Sequence, residues 1–166
     1  MGSHAPPLSS TMHLFRAARI DVALAKESEG AVLEKLHTVP LFSGLKEKHL
    51  RAILASGKQR TYKEGDAIVE EGEAGVAFYL ILDGAVEVRR KGKVVAKLGS
   101  GNFFGEMSLL DSNPRSSDVV AVAPTTCLLL SSWTFQGFVG SNKEVAINLL
   151  KTLVHRLRES DRALSD

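Results

Sequence analysis

The residues best suited to chemistry lie in one short stretch, where Arg115 follows Pro114 and precedes two serines. The planar guanidinium of an arginine can hold two oxygens of a phosphate at once. Proline fixes the backbone just before Arg115, and the hydroxyl groups of Ser116 and Ser117 add hydrogen-bond donors. The stretch therefore predicts a binding site for an anion.

A glycine and an acidic residue stand just upstream of this arginine. Gly105 gives the backbone room for a close approach, and residues 107–110, after Glu106, predict one helical turn. The free N–H groups at the start of such a turn point at an anion. The whole stretch separates two strand patterns where a plain β protein needs only a tight turn. Loops of this length inside a compact domain are usually functional.

The charges of this loop restrict the ligand. An ionised Glu106 repels phosphate, so it suits a hydroxyl instead, such as a ribose 2′-OH. One arginine with the amides of one helical turn suits a single negative charge rather than a triphosphate. A phosphate monoanion beside a free hydroxyl describes a cyclic mononucleotide. From spacing alone, the alternative is that Glu106 and Arg115 form an ordinary surface ion pair, which would contribute about 0–1 kcal/mol.

The elements that must position this loop are mainly β. Short apolar runs such as 78–82 alternate with glycine turns, and about eight such strands predict an eight-stranded jelly roll or small barrel. Helical spacing before and after them makes the fold class α+β, with N-terminal helices and a C-terminal lid helix. The expected divisions are a cloning remnant or flexible tail at 1–11, a helical segment at 12–57 with a first helix from Met12 to about Glu29, a β-barrel at 58–133 with the binding loop at 104–118, and C-terminal helices at 134–166.

Composition excludes several classes of function. The 166 residues carry a net charge of only +2, which gives no case for a nucleic-acid partner, and no apolar run approaches the length of a membrane helix. The single cysteine, Cys127, lies in an apolar run typical of a buried strand, and a cytoplasmic location fits. No nucleophile elbow, triphosphate-binding loop or metal-ligand spacing is present, so we expect no enzyme and no metal.

The loop resembles the phosphate-binding cassette of the cyclic-nucleotide-binding family, to which protein kinase A regulatory subunits and the catabolite activator protein belong. The family pattern of Phe-Gly-Glu, a small helix, then Pro-Arg and two small residues is matched at 104–117. The upstream glycines and strand residues from 65 to 88 also match. The resemblance runs from about Leu33 to Leu157 and implies a ligand-sensing domain whose C-terminal helix closes over the bound base.

The resemblance also implies a role for each matching residue. Glu106 accepts from the ribose 2′-OH, and Arg115 pairs with the cyclic phosphate. The supporting positions are the backbone at Gly105, the backbone N–H groups of Met107, Ser108 and Leu109, the hydroxyls of Ser116 and Ser117, the apolar wall residues Val88 and Val95, and the lid residues Ser160 and Asp161.

Two departures from the family pattern are visible. Val76 stands where many members have an acid, and Asp118 replaces a frequent threonine and adds negative charge near the pocket. The choice of base stays open at Ser116, because a hydroxyl there occurs with both adenine and guanine ligands. We expect cAMP, with cGMP as the alternative.

The output of the expected sensor is not encoded in a visible motif. The leading hypothesis is a cyclic-nucleotide module that regulates an attached or partner effector through its lid helix. The rivals are the sensor half of a catabolite-activator-type transcription factor, without its DNA-binding part, and a ligand-free docking domain. Leu150, Leu157 and Leu164 recur every seven residues, so the last helix either packs one apolar stripe on its own barrel or forms a homodimer seam.

Overall fold

The chain forms two antiparallel sheets with helices before and after them. The computed structural model describes residues 27–74, 77–106 and 114–165. Its helices are α1 (Glu29–Thr38), α2 (Glu47–Ser56), α3 (Ser132–Ser141) and α4 (Lys143–Ser165), with a 3-10 turn at Pro40–Phe42. Its strands are β1 (Lys58–Tyr62), β2 (Ala67–Val69), β3 (Ala77–Asp83), β4 (Ala85–Arg90), β5 (Lys93–Gly99), β6 (Phe103–Phe104), β7 (Asp118–Ala121) and β8 (Thr125–Ser131). The first helix expected from Met12 falls almost entirely outside the described residues.

The strands divide equally between the sheets. One sheet has the order β1-β8-β3-β6, and the other has the order β2-β7-β4-β5. The expected mainly β fold with terminal helices is confirmed, but a closed barrel is not found in the part of the chain that the structure describes. Alternating patterns identify strands, whereas closure depends on pairing between strands far apart in sequence.

Strand β3 is the centre of the packing because both of its faces are covered. Phe78, Leu80 and Leu82 join a cluster with the helices, whereas Tyr79 and Ile81 join a second cluster with residues of the other sheet. The alternation follows from the two-residue period of a strand. The molecule is therefore layered as helices, first sheet and second sheet, and the continuous apolar run of β3 reflects burial on both sides.

Helix α4 is held to the domain mainly through its first half. Val145 and Leu149 are buried in the helix-side cluster. The side-chain amide of Asn148 donates to the carbonyl oxygens of Leu41, at 3.2 Å, and Ser43, at 3.0 Å. These contacts fix the start of α4 on the 3-10 turn.

Cys127 lies on β8 and is fully buried, as its apolar neighbours predict. Burial raises the pKa of its thiol to about 12, so the thiolate is disfavoured at neutral pH. Within 27–74, 77–106 and 114–165, no helix is long and apolar enough to cross a membrane.

Candidate functional site

The two charged residues singled out from the sequence are both buried at the same loop. Glu106 follows β6 and is 3% exposed, and Arg115 precedes β7 and is 6% exposed. Residues of both types are seldom buried unless they are bound by other polar groups. The predicted backbone donors at Met107, Ser108 and Leu109 lie outside the described residues.

Arg115 is fixed through both its backbone and its side chain. Its N–H donates to the carbonyl of Glu73 at 2.7 Å, and its carbonyl accepts from Gly72 at 2.8 Å. The guanidinium donates from Nη1 to the carbonyl of Gly105 at 2.7 Å and from Nη2 to that of Ala77 at 2.6 Å. These two bonds use two of its five N–H donors. The turn after β2, the start of β3 and the residue after β6 therefore aim one side chain.

The surroundings of this guanidinium leave its charge in place. Burial lowers the pKa of Arg115 from its ordinary value, and Tyr79, Glu106 and Glu73 act in the opposite direction. An arginine stays protonated under such a shift. None of the ion pairs formed among the described residues involves Arg115. Its bonded partners at Gly105 and Ala77 are neutral carbonyls, so the site carries a buried positive charge suited to an anion.

The alternative of a surface ion pair between Glu106 and Arg115 is wrong. Both side chains are buried, and the ion pair of Glu106 is made instead with Arg156 of α4, whose Nη1 lies 2.9 Å from Oε1. Nη2 of Arg156 donates to the carbonyl of Phe103 at 2.7 Å, and its guanidinium carbon lies 4.5 Å from the centre of the Phe103 ring. The carboxylate thus joins the loop to the last helix.

Sequence reasoning missed Arg156, although one signal for it was available. Arg156 lies directly before Leu157, which belongs to the apolar repeat of the last helix. A carboxylate expected to be buried requires a cation, and Arg115 was already assigned to the phosphate. The helix expected to cover the site is therefore the place where a second cation is to be expected.

The remaining predicted residues lie in varied settings. Ser117 is buried and Ser116 is exposed. Val88 packs against the cluster between the sheets, whereas Val95 lies at an irregularity in the β4–β5 pairing and is 52% exposed. The expected lid residues, Ser160 and Asp161, are exposed on α4, about one turn beyond Arg156.

The two departures from the family pattern have different outcomes. Val76 lies outside the described residues. The carboxylate of Asp118 accepts from the backbone N–H of Glu71 at 2.6 Å, so it holds the turn after β2 against the start of β7. A carboxylate bonded in this way has a structural role at the edge of the site.

The backbone conformation and close contacts at position 105 require a glycine, and the substitution Gly105→Ala tests this requirement. Its φ is +94°, and an added Cβ would lie 2.8 Å from Nη1 of Arg115 and 2.8 Å from the carbonyl oxygen of Ala77. We expect Gly105→Ala to lower the free energy of unfolding by more than the roughly 1–3 kcal/mol that a positive φ costs alone. It should also displace Arg115 and weaken anion binding. Urea denaturation and calorimetry measure the two effects.

Gly101 provides the matched control for this substitution. Its φ is +89°, and no atom lies within 4 Å of an added Cβ. Gly101→Ala should therefore show the backbone cost without the contact with Arg115, and ligand affinity should be unchanged. Equal losses of stability and affinity in both variants would contradict the assignment.

Comparison with known proteins agrees with this arrangement. The fold and the site define a two-sheet β domain that presents a buried arginine and a buried carboxylate at one loop. A family model for the cyclic nucleotide-binding domain matches residues 59–142, about half of the sequence. The chain belongs to the cyclic nucleotide-binding domain family.

Individual relatives extend the match. The cyclic AMP receptor protein of Thermus thermophilus is 38% identical over 130 residues, which cover 75% of this chain and 60% of that protein. The crystal structure of the Thermus thermophilus catabolite activator protein is 38% identical, has a TM-score of 0.68, and is matched over 76% of this chain and 62% of that one. For a cyclic nucleotide-binding domain from Methylobacillus flagellatus, the identity is 30%, the TM-score 0.70 and the coverage 82% of each chain. The chain thus spans about 60% of the length of its Thermus relatives.

Proposed function

We propose that this domain is a sensor that binds cAMP and transmits its binding through α4. The observation that carries the proposal is the buried guanidinium of Arg115, which is bonded to two neutral carbonyls. A fixed, buried positive charge beside a buried carboxylate suits a ligand with one anionic group and one nearby hydroxyl. A cyclic nucleotide has both, and the match to the family supports it.

Arg115 and Glu106 then bind different groups of the ligand. Arg115 binds the cyclic phosphate, helped by the hydroxyls of Ser116 or Ser117 and by the N–H groups at 107–109. Glu106 accepts from the ribose 2′-OH. Gly105 keeps the backbone beside the ligand free of a side chain, and Val88 and Val95 form the apolar wall for the base.

We propose cAMP as the ligand ahead of cGMP. Ser116 leaves the base open, and the 38% identity to a protein named for cyclic AMP favours adenine. Calorimetric titration with both nucleotides tests the choice, with 5′-AMP as the control because its open phosphate carries more charge. We expect a dissociation constant for cAMP on the order of 1 μM, about −8 kcal/mol, and weaker binding of cGMP. Binding of neither cyclic nucleotide at 1 mM would overturn the proposal.

The alternative hypothesis is that the chain is a docking domain of the same fold that binds no nucleotide. A thermal shift separates the two, because a ligand that binds only the folded state at 100 times its dissociation constant adds about 2.7 kcal/mol of stability. We propose that the effector is either an attached domain or a partner protein that responds to the position of α4. A DNA-binding domain of the catabolite-activator type is one form of that effector.

The outer face of α4 supports a homodimer. Ile147, Leu150, Val154 and Leu157 are between 40% and 62% exposed and are spaced by three and four residues. This spacing places them on one stripe of the helix. β-branched residues alternating with leucine along such a stripe favour a two-stranded parallel coiled coil. We therefore propose that this stripe packs against α4 of a second copy of the chain.

Leu157→Glu should convert this dimer to a monomer at micromolar concentration, because it would bury two carboxylates against each other. His155→Glu, at an exposed position off the stripe, is the matched control and should leave the dimer intact. Sedimentation velocity measures both. A wild-type chain that sediments as a monomer, or a dimer that survives Leu157→Glu, would exclude the seam.

A further inference from the structure

Positive charge is concentrated on the hairpin formed by β4 and β5. Residues 85–99 carry five cations and one anion, a net charge of +4 in a chain whose total is only +2. The anion, Glu87, is bonded to Arg89 at 2.7 Å. The other four cations make no ion pair with any residue that the structure describes; they are Arg90, Lys91, Lys93 and Lys97. The hairpin therefore presents unneutralised charge to its surroundings.

Strand β5 is also an open edge of its sheet. It pairs only with β4 among the described strands, and every residue from 90 to 97 is exposed. The N–H of Gly99 donates to Oδ1 of Asn102 at 2.8 Å, and its carbonyl accepts from the N–H of Asn102 at 3.0 Å, so both groups point away from β4. Because backbone groups along a strand alternate in direction, those of Lys97 point the same way. No strand in the described part of the chain lies on that side.

Edge protection explains only part of this charge. Lysines on an edge strand commonly prevent other strands from pairing with it, and this accounts for Lys93 and Lys97. It does not account for Arg90, which lies on β4 directly opposite Lys93, or for Lys91 in the turn, whose φ is +52°. Like charges placed so close together do not stabilise a hairpin. Their placement is explained by a negatively charged partner.

We propose that β5 binds an extended acidic peptide segment of a partner protein, which joins the four-stranded sheet as a further strand. The free edge at Lys97 offers a backbone donor and a backbone acceptor, and an added strand bonds both. Phosphate groups of nucleic acids or lipids are acceptors only, so they would leave the carbonyl unpaired. Carboxylates on the added strand would meet Lys93 and Lys97 across the edge. The same lysines repel basic strands, which makes the edge selective. Binding here does not require a cyclic nucleotide.

The probe is a blocked heptapeptide, Glu-Val-Glu-Thr-Glu-Val-Glu, titrated by calorimetry into the nucleotide-free full chain at low salt. We expect a dissociation constant on the order of 100 μM, which rises with added salt because the charge pairs are exposed. The control peptide, Glu-Pro-Glu-Pro-Glu-Pro-Glu, has the same charge but cannot pair as a strand, because proline removes backbone donors and fixes φ. It should bind at least about fivefold more weakly.

Variants of the chain separate charge from backbone pairing. Lys93→Gln/Lys97→Gln should weaken binding of the probe about fivefold, because two cross-strand charge pairs are lost. Lys46→Gln/Lys48→Gln removes the same charge from exposed positions at the start of α2 and should leave binding unchanged. Lys97→Pro removes the outward N–H and should weaken binding more than Lys97→Gln does. Hydrogen exchange at the Lys97 amide should slow when the probe binds.

Three results would overturn the proposal. If the probe does not bind, the lysines only protect the edge. If the proline peptide binds equally well, charge alone attracts the probe and no strand is added. If a short DNA duplex or phosphatidylserine vesicles bind more tightly than the probe through the same lysines, the partner bears phosphate. Titration with cAMP is a separate measurement, so the failure of either proposal leaves the other standing.

Discussion

Arg115→Ala is expected to weaken cAMP binding by about 2 kcal/mol or more, roughly 30-fold. The substitution leaves a phosphate partly buried with no cation to meet it. It also removes the donors that bind the carbonyls of Gly105 and Ala77, so the free energy of unfolding should fall as well. Calorimetry measures the first effect and urea denaturation the second.

Two further variants separate charge from shape. Arg115→Lys keeps the positive charge but cannot bond both carbonyls and two phosphate oxygens from one plane, so it should recover only part of the affinity. Arg90→Ala removes an exposed arginine on β4 and should change neither affinity nor stability. Unchanged affinity in Arg115→Ala would remove this residue from the site.

Phe78→Ala should cause the largest loss of stability, about 3–5 kcal/mol in the free energy of unfolding. Phe78 is fully buried; its ring stacks on Phe135 of α3 at 4.4 Å and lies 5.3 Å from Phe103 of β6. The guanidinium of Arg156 in turn stacks on the ring of Phe103. The cavity would therefore loosen the contact between the sheet and the C-terminal helices in addition to removing buried apolar area.

Urea denaturation followed by circular dichroism measures this loss. Phe138→Ala is the control, because Phe138 is only partly buried at the edge of the same cluster and should cost less. A loss below about 1 kcal/mol in Phe78→Ala would mean that the site collapses around the missing ring, and that β3 is not the centre of the packing.

The sequence was informative where function depends on neighbours along the chain. Glu106 and Arg115 flank a single loop, and their types and spacing alone predicted an anion site with a hydroxyl acceptor. The buried run at 78–82 and the glycine turns likewise predicted strands, because both signals are local.

Arg156 could not be positioned in the same way. Its contact with Glu106 depends on how α4 rotates about its own axis and on where the helix crosses the sheet, and these are set by distant packing at Val145 and Leu149. Ser160 and Asp161 lie about one helical turn beyond Arg156, and their role in covering the base stays a prediction. The expected closed barrel is not found among the described strands, and the sequence could not decide this because the order in which strands pair is not a local property.

Because α4 is anchored at Asn148, a tilt of the helix about this residue displaces each later residue in proportion to its distance from Asn148. With a rise of about 1.5 Å per residue, Arg156 lies about 12 Å from that pivot and the end of the helix, Ser165, about 25 Å. A tilt that moves Arg156 by 2 Å then moves the helix end by about 4 Å. A displacement of Arg156 just large enough to break its hydrogen bond to Glu106 is therefore about twice as large at the end of α4.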